Sequence, residues 1–97
     1  MPGNISQEQI PFQLLSNIEV LESDAEQKKR KDQLLKAYQH NRINYSKAII
    51  VFETKDGCRE VLANIWEVTD NYVLLKGGIN IPIPCIHKVV LEVSNSI

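Results

Sequence analysis

The chain is poor in the residues that mark secreted, metal-stapled and membrane proteins. Its only cysteines are Cys58 and Cys85. Neither has a second Cys nearby, and His87, two residues after Cys85, makes no recognised zinc-ligand spacing. We therefore expect two reduced thiols, at least one of them partly buried, with no disulfide, metal or cofactor. No apolar run approaches the roughly 20 residues needed to cross a bilayer. The opening Met1 to Gln7 lacks the cationic and apolar segments of a secretory signal. Neither sign of charge dominates, since 11 Lys and Arg face 12 Asp and Glu. That balance excludes attraction to nucleic acid through bulk charge and leaves room only for a local basic patch. A cytoplasmic protein without a membrane partner is the resulting expectation.

Catalytic patterns are missing too. No Ser-His-Asp or Cys-His spacing, carboxylate pair on one helical turn, phosphate-cradling glycine loop or metal cluster appears. We expect no enzyme activity and assign no catalytic residue; His40 and His87 read as surface or structural. What remains is ordinary globular material, 43% hydrophobic in 97 residues, enough for one modest core.

Glycine and proline number only four each, so their positions carry information. Residues 1–9 read as a frayed tail. Pro11 to Glu22 carries Leu14, Ile18 and Leu21 on one helical face, with Pro11 suited to a first helical position. Ile18-Glu19-Val20 alternates, so a short strand is the other reading of Pro11 to Glu22, and 1–22 reads as a flexible tail followed by a short helix or strand. Ser23 and Glu26 then form a capping box, the Ser hydroxyl accepting from the amide three residues on while Glu26 reaches back to the Ser23 amide. The following residues to about Asn41 are good helix formers without Gly or Pro. Leu34, Leu35 and Tyr38 make its apolar stripe, and Glu26 to Lys31 should meet solvent.

From Lys47 to Val93 the pattern changes to short β-rich runs. Lys55-Asp56-Gly57, Thr69-Asp70-Asn71 and Gly77-Gly78 separate them, residues suited to tight strand connections. Ala48 to Phe52 is apolar on both faces. Val61, Ala63 and Ile65 share one face of the next strand, with Leu62, Trp66 and Val68 opposite, and a helix presenting Leu34, Leu35 and Tyr38 should cover the second apolar side. Pro82 and Pro84, two apart, should strip donors from one strand edge and turn it toward solvent. Residues 23–97 thus read as one domain, mainly β with N-terminal α. The expected architecture is a small five-stranded antiparallel barrel of the Src-homology-3 type, preceded by one or two helices.

Lys28-Lys29-Arg30-Lys31 has two readings. Consecutive helical residues lie about 100° apart, so four in a row wrap the helix and make no single face. Glu26 with Arg30 and Lys28 with Asp32 stand at i,i+4 and would neutralise it. The other reading is a flexible contact to phosphates.

The stretch from about Asp32 to Val93 resembles the Sm-like family of small β-barrels, and within it the Hfq group of bacterial RNA chaperones. The matching features are a helix from Asp32 to Ile43, Asp56-Gly57 in place of the family's Asn-Gly turn, and Asp70-Asn71-Tyr72 ahead of an apolar strand in place of Asp-Gln-Phe. The run Ile81 to Val90 stands where that group carries a Tyr-Lys-His motif and its last strand. The resemblance implies a partner, single-stranded RNA, with a uridine stacked on Tyr72 and bonded near Asn71. Lys76 and Lys28, Lys29, Arg30 and Lys31 would add phosphate contacts. It also implies a homo-oligomer. The Lys-His pair of the family's pocket, however, falls on Ile83 and Pro84, and Lys31 replaces the amide before the helix-opening acid. Ala63 and Asn64 replace the glycine that bends the second strand. Pro82 and Pro84 argue against the family's ring, which pairs the fourth strand of one subunit with the fifth of the next. A second reading from a different class is a protein-interaction or assembly module, docking a partner or second copy through the exposed helix and the apolar stretch Phe12 to Leu21.

Overall fold

A computed structural model describes residues 3–4 and 18–91 of the chain. Its elements are β1 (Gly3–Asn4), α1 (Asp24–Asn44), β2 (Ala48–Thr54), β3 (Gly57–Ala63), β4 (Ile65–Val68), β5 (Tyr72–Leu75), β6 (Ile79–Pro82) and β7 (Ile86–Leu91). A 3-10 turn, Ile83–Cys85, separates the last two strands. After α1 come six antiparallel strands in two small sheets, ordered β1-β3-β2-β7 and β4-β5-β6, with the short β1 parallel to β3. Among the described residues no ladder joins β6 to β7, so closure of a barrel is not marked by hydrogen bonding.

One core nevertheless serves both sheets. Ile50, Phe52, Val61 and Ala63 from the first meet Ile65, Val73, Leu75 and Ile81 from the second, with Leu34 and Ala37 of the helix. The hinge is Asn64, which sits between β3 and β4. Its carbonyl accepts from the Lys76 amide at 3.0 Å, and its side-chain amide donates to Asn41 Oδ1 at 2.8 Å and to the Tyr45 carbonyl at 3.0 Å. A polar residue is tolerated at this bend because its hydrogen bonds are made inside the chain.

Helix α1 starts as its capping residues predict. Ser23 is extended and its Oγ accepts from the Glu26 amide at 3.0 Å. The return contact differs from the expected one: the Ser23 hydroxyl donates to Glu26 Oε1 at 3.0 Å. The helix runs to Asn44 and ends on Tyr45, whose φ of 56° is left-handed and whose amide donates to the Asn41 carbonyl at 2.9 Å. Its buried stripe is Arg30, Leu34, Ala37 and Asn41, spaced 4, 3 and 4 apart as one helical face requires. Leu35, expected on that stripe, is exposed, and Tyr38 is partly buried against the core. The helix packs mainly on β7 and β4, and its Leu34 and Ala37 join Ile50 and Phe52 of β2 in the core.

Two further expectations are corrected. Residues 18–22 are not helical, and 11–17 lie outside the described residues. The segment is held by the Val20 amide on the Pro84 carbonyl at 3.0 Å and by Glu19 on Arg30. Pro82 and Pro84 also do not share a strand, because β6 ends at Pro82 and Pro84 belongs to the 3-10 turn. The Ile83 amide donates to the Asn71 carbonyl at 2.9 Å. Antiparallel alternation then puts the Pro82 nitrogen on the side away from β5, so one donor is still missing from that edge.

Candidate nucleic-acid interface

The residues singled out from the sequence separate into three places. Asn71 and Tyr72 are exposed at the turn between β4 and β5. Thr69 organises that turn: its Oγ1 accepts from the Tyr72 amide at 2.9 Å and the Asn71 amide at 3.3 Å. Lys31 reaches the same turn, donating from Nζ to the Thr69 carbonyl at 3.1 Å. Lys28 and Lys29 are exposed on the first turns of α1. Lys76 lies beyond the other end of β5, so the structure does not bring it to Tyr72.

Arg30 points inward. It is only 5% exposed, holds both Glu19 carboxylate oxygens at 2.7 Å, and donates to the Ile86 carbonyl at 2.9 Å. The expected i,i+4 partner Glu26 is not used. The hydrogen bond from Arg30 holds the Glu19 carboxyl below the usual carboxylate range, against a smaller upward push from burial. Arg30 is thereby committed to the fold and is not presented beside Lys28 and Lys29.

Sequence reasoning missed the cleft that Lys76 does join. Asn41, Arg42, Tyr45, Asn64, Trp66 and Lys76 line an open depression of about 390 Å³. Its floor is the amide network of the hinge: Asn41 donates to the Ile65 carbonyl at 3.0 Å while accepting from Asn64. The lip carries two aromatic rings, Trp66 at 50% and Tyr45 at 83% exposure. Trp66 sits at a bulge. Ile65 pairs with Leu75 but Glu67 with Leu74, so Trp66 is the extra residue of β4. Alternation from the buried Ile65 puts the indole outward, and the extra residue lets Val68 rather than Glu67 return to the core. Tyr45 occupies the left-handed conformation usually left to glycine. Arg42, over the Tyr38 ring at 5.8 Å from its centroid, and Lys76 supply positive charge.

The arrangement offers two flat apolar faces beside two cations, a combination suited to stacking unpaired bases while meeting their phosphates. The missed signal was Trp66 itself, a single tryptophan placed on the outward face of its strand. Comparison with models of protein families, with characterised proteins and with solved structures finds no match to this chain.

Proposed function

We propose that the chain is a non-catalytic protein of the Sm-like kind that binds single-stranded RNA through the Trp66 cleft. The strand order supports the fold half of this reading. Taking β3 and β4 as one strand bent at Asn64 gives the continuous order β7-β2-β3/β4-β5-β6, with a 3-10 turn before the last strand. That is the order of a small five-stranded barrel left open between β6 and β7. The observation that carries the binding half is the half-exposed Trp66 ring, sharing its cleft with Tyr45, Arg42 and Lys76. Asn71, Tyr72 and Lys31 stand apart from this cleft, at the other end of β5, where only a longer strand would reach them.

Trp66 is the only tryptophan, so its fluorescence reports on the site directly. Titration with oligo-U and oligo-A at two salt concentrations should quench it, with affinity falling steeply as salt rises through counterion release. Trp66→Ala, read with labelled oligonucleotide, should weaken binding on the order of 10-fold or more, the loss of about 1–3 kcal/mol of base stacking. Absence of binding at low salt would defeat the reading. It would favour the alternative, a protein-interaction module with no nucleic-acid binding, which the outward Leu62 and Ile43, at 41% and 76% exposure, support.

A further inference from the structure

We propose that Glu53, Cys58 and His87 form a binding site for one divalent transition-metal ion of the zinc type, distinct from the Trp66 cleft. The three residues come from three adjacent strands and show no metal-ligand spacing in the sequence. In the fold their ligating atoms, a carboxylate oxygen, a thiol sulfur and an imidazole nitrogen, all lie within 4.8 Å of one another.

The register explains the convergence. Glu53 and Cys58 face each other as a cross-strand pair one step before the hairpin end, where Thr54 pairs with Gly57. That end is fixed by Thr54 Oγ1, which donates to the Gly57 carbonyl at 2.9 Å and accepts from the Asp56 amide at 3.1 Å. His87 comes from the other side of β2. Val51 pairs with Lys88 and Phe52 with Ile86, so His87 is the extra residue of a bulge in β7. With Ile86 and Val89 both buried toward the core, the bulge turns His87 to the opposite face, the one carrying Glu53 and Cys58. There its Nε2 lies 2.9 Å from Glu53 Oε1.

The donor set selects the ion. Sulfur, nitrogen and oxygen together suit a borderline ion such as Zn²⁺, whereas Mg²⁺ and Ca²⁺ take oxygen ligands. Tetrahedral zinc with ordinary bond lengths needs ligand-to-ligand separations of roughly 3.3–3.7 Å. The three groups reach that by small side-chain adjustments, the His87–Glu53 contact opening and the thiol closing in. Glu53 and His87 side chains are about one-third exposed, at 36% and 34%, so an ion can enter from solvent. Three protein ligands leave a fourth position for water or an exogenous donor.

The test is a Co²⁺ titration of the tag-free full chain, followed by displacement with Zn²⁺. Equimolar saturation is expected, with a thiolate-to-cobalt charge-transfer band, visible bands of four-coordinate cobalt, and their loss on adding zinc. Cys58→Ser should abolish the charge-transfer band, and Cys58→Ser and His87→Ala should each weaken zinc binding on the order of 100-fold or more. Glu53→Gln, which keeps a neutral partner for His87, should weaken zinc while far-ultraviolet dichroism stays unchanged. His40→Ala should bind as the parent chain does. A titration without saturable bands would overturn the site, leaving His87 and Glu53 as a hydrogen-bonded pair only. So would bands that survive in Cys58→Ser or disappear in His40→Ala.

Discussion

Arg30 shows how a single residue changes meaning between sequence and structure. In a run of four cations it reads as solvated charge, yet it occupies the buried stripe that Leu34, Ala37 and Asn41 continue. Its partner Glu19 lies eleven residues away in a non-helical segment, beyond any i,i+4 rule. The pair has a definite pH signature. Because the Glu19 pKa is lowered in the fold, its contribution is fully present above the unfolded value and is lost as pH falls through the folded one. Glu19→Gln should therefore cost about 1–2 kcal/mol at neutral pH, discounted for the partly exposed carboxylate. The gap to the parent chain should begin to close below roughly pH 4.3. Urea denaturation of both proteins across that range measures it; a gap that stays constant down to strongly acidic pH would show that the pair does not contribute in this way.

At the scale of elements, the helix start and the hairpin turns were legible because short-range chemistry decides them. Ser23 caps α1, Gly57 takes a φ of 113°, and Gly77 and Gly78 take 99° and 88°, as their positions between strands suggest. The helix's inward face was less legible. Leu34 and Leu35 are equivalent by composition, and only packing on β7 and β4 separates them, at 0% and 39% exposure. Leu34→Ala should cost about 2–5 kcal/mol of unfolding free energy through the cavity it leaves. Leu35→Ala should stay within about 0.5 kcal/mol of the parent chain, as for exposed positions generally. Chemical denaturation distinguishes them, and equal losses would contradict the assigned face. The bulges were not legible at all. An extra residue in β4 or β7 leaves no mark in an alternating apolar pattern, yet these two irregularities set the registers in which Val68 and Val89 return to the core beyond Trp66 and His87. Tyr72 and Lys76 were singled out through the family resemblance, whereas the grouping of Trp66 with Tyr45 and of Glu53 with Cys58 and His87 depends on strand register and the helix end, which no local pattern gives.

For the molecule as a whole, apolar alternation and turn spacing foretold a mainly β domain behind an N-terminal helix, and six antiparallel strands do follow α1. No described helix is long and apolar enough to cross a membrane. How the strands divide, two sheets hinged at Asn64, depends on an amide network linking residues 41, 45 and 64, which no local pattern announces. The net charge of −1 bears on function at this scale. A protein so nearly neutral has little long-range pull on RNA, so the proposed binding must come from contacts concentrated in one cleft. The outer edge of β6, with its Pro82 nitrogen turned away from β5, is poorly equipped to pair with another subunit. The proposal therefore does not rest on a ring. Nuclear magnetic resonance of the labelled chain during an oligo-U titration tests it most directly. The account predicts that the Trp66 indole shifts first, together with Tyr45, Arg42 and Lys76. Shifts confined to other surfaces, or none at low salt, would contradict it.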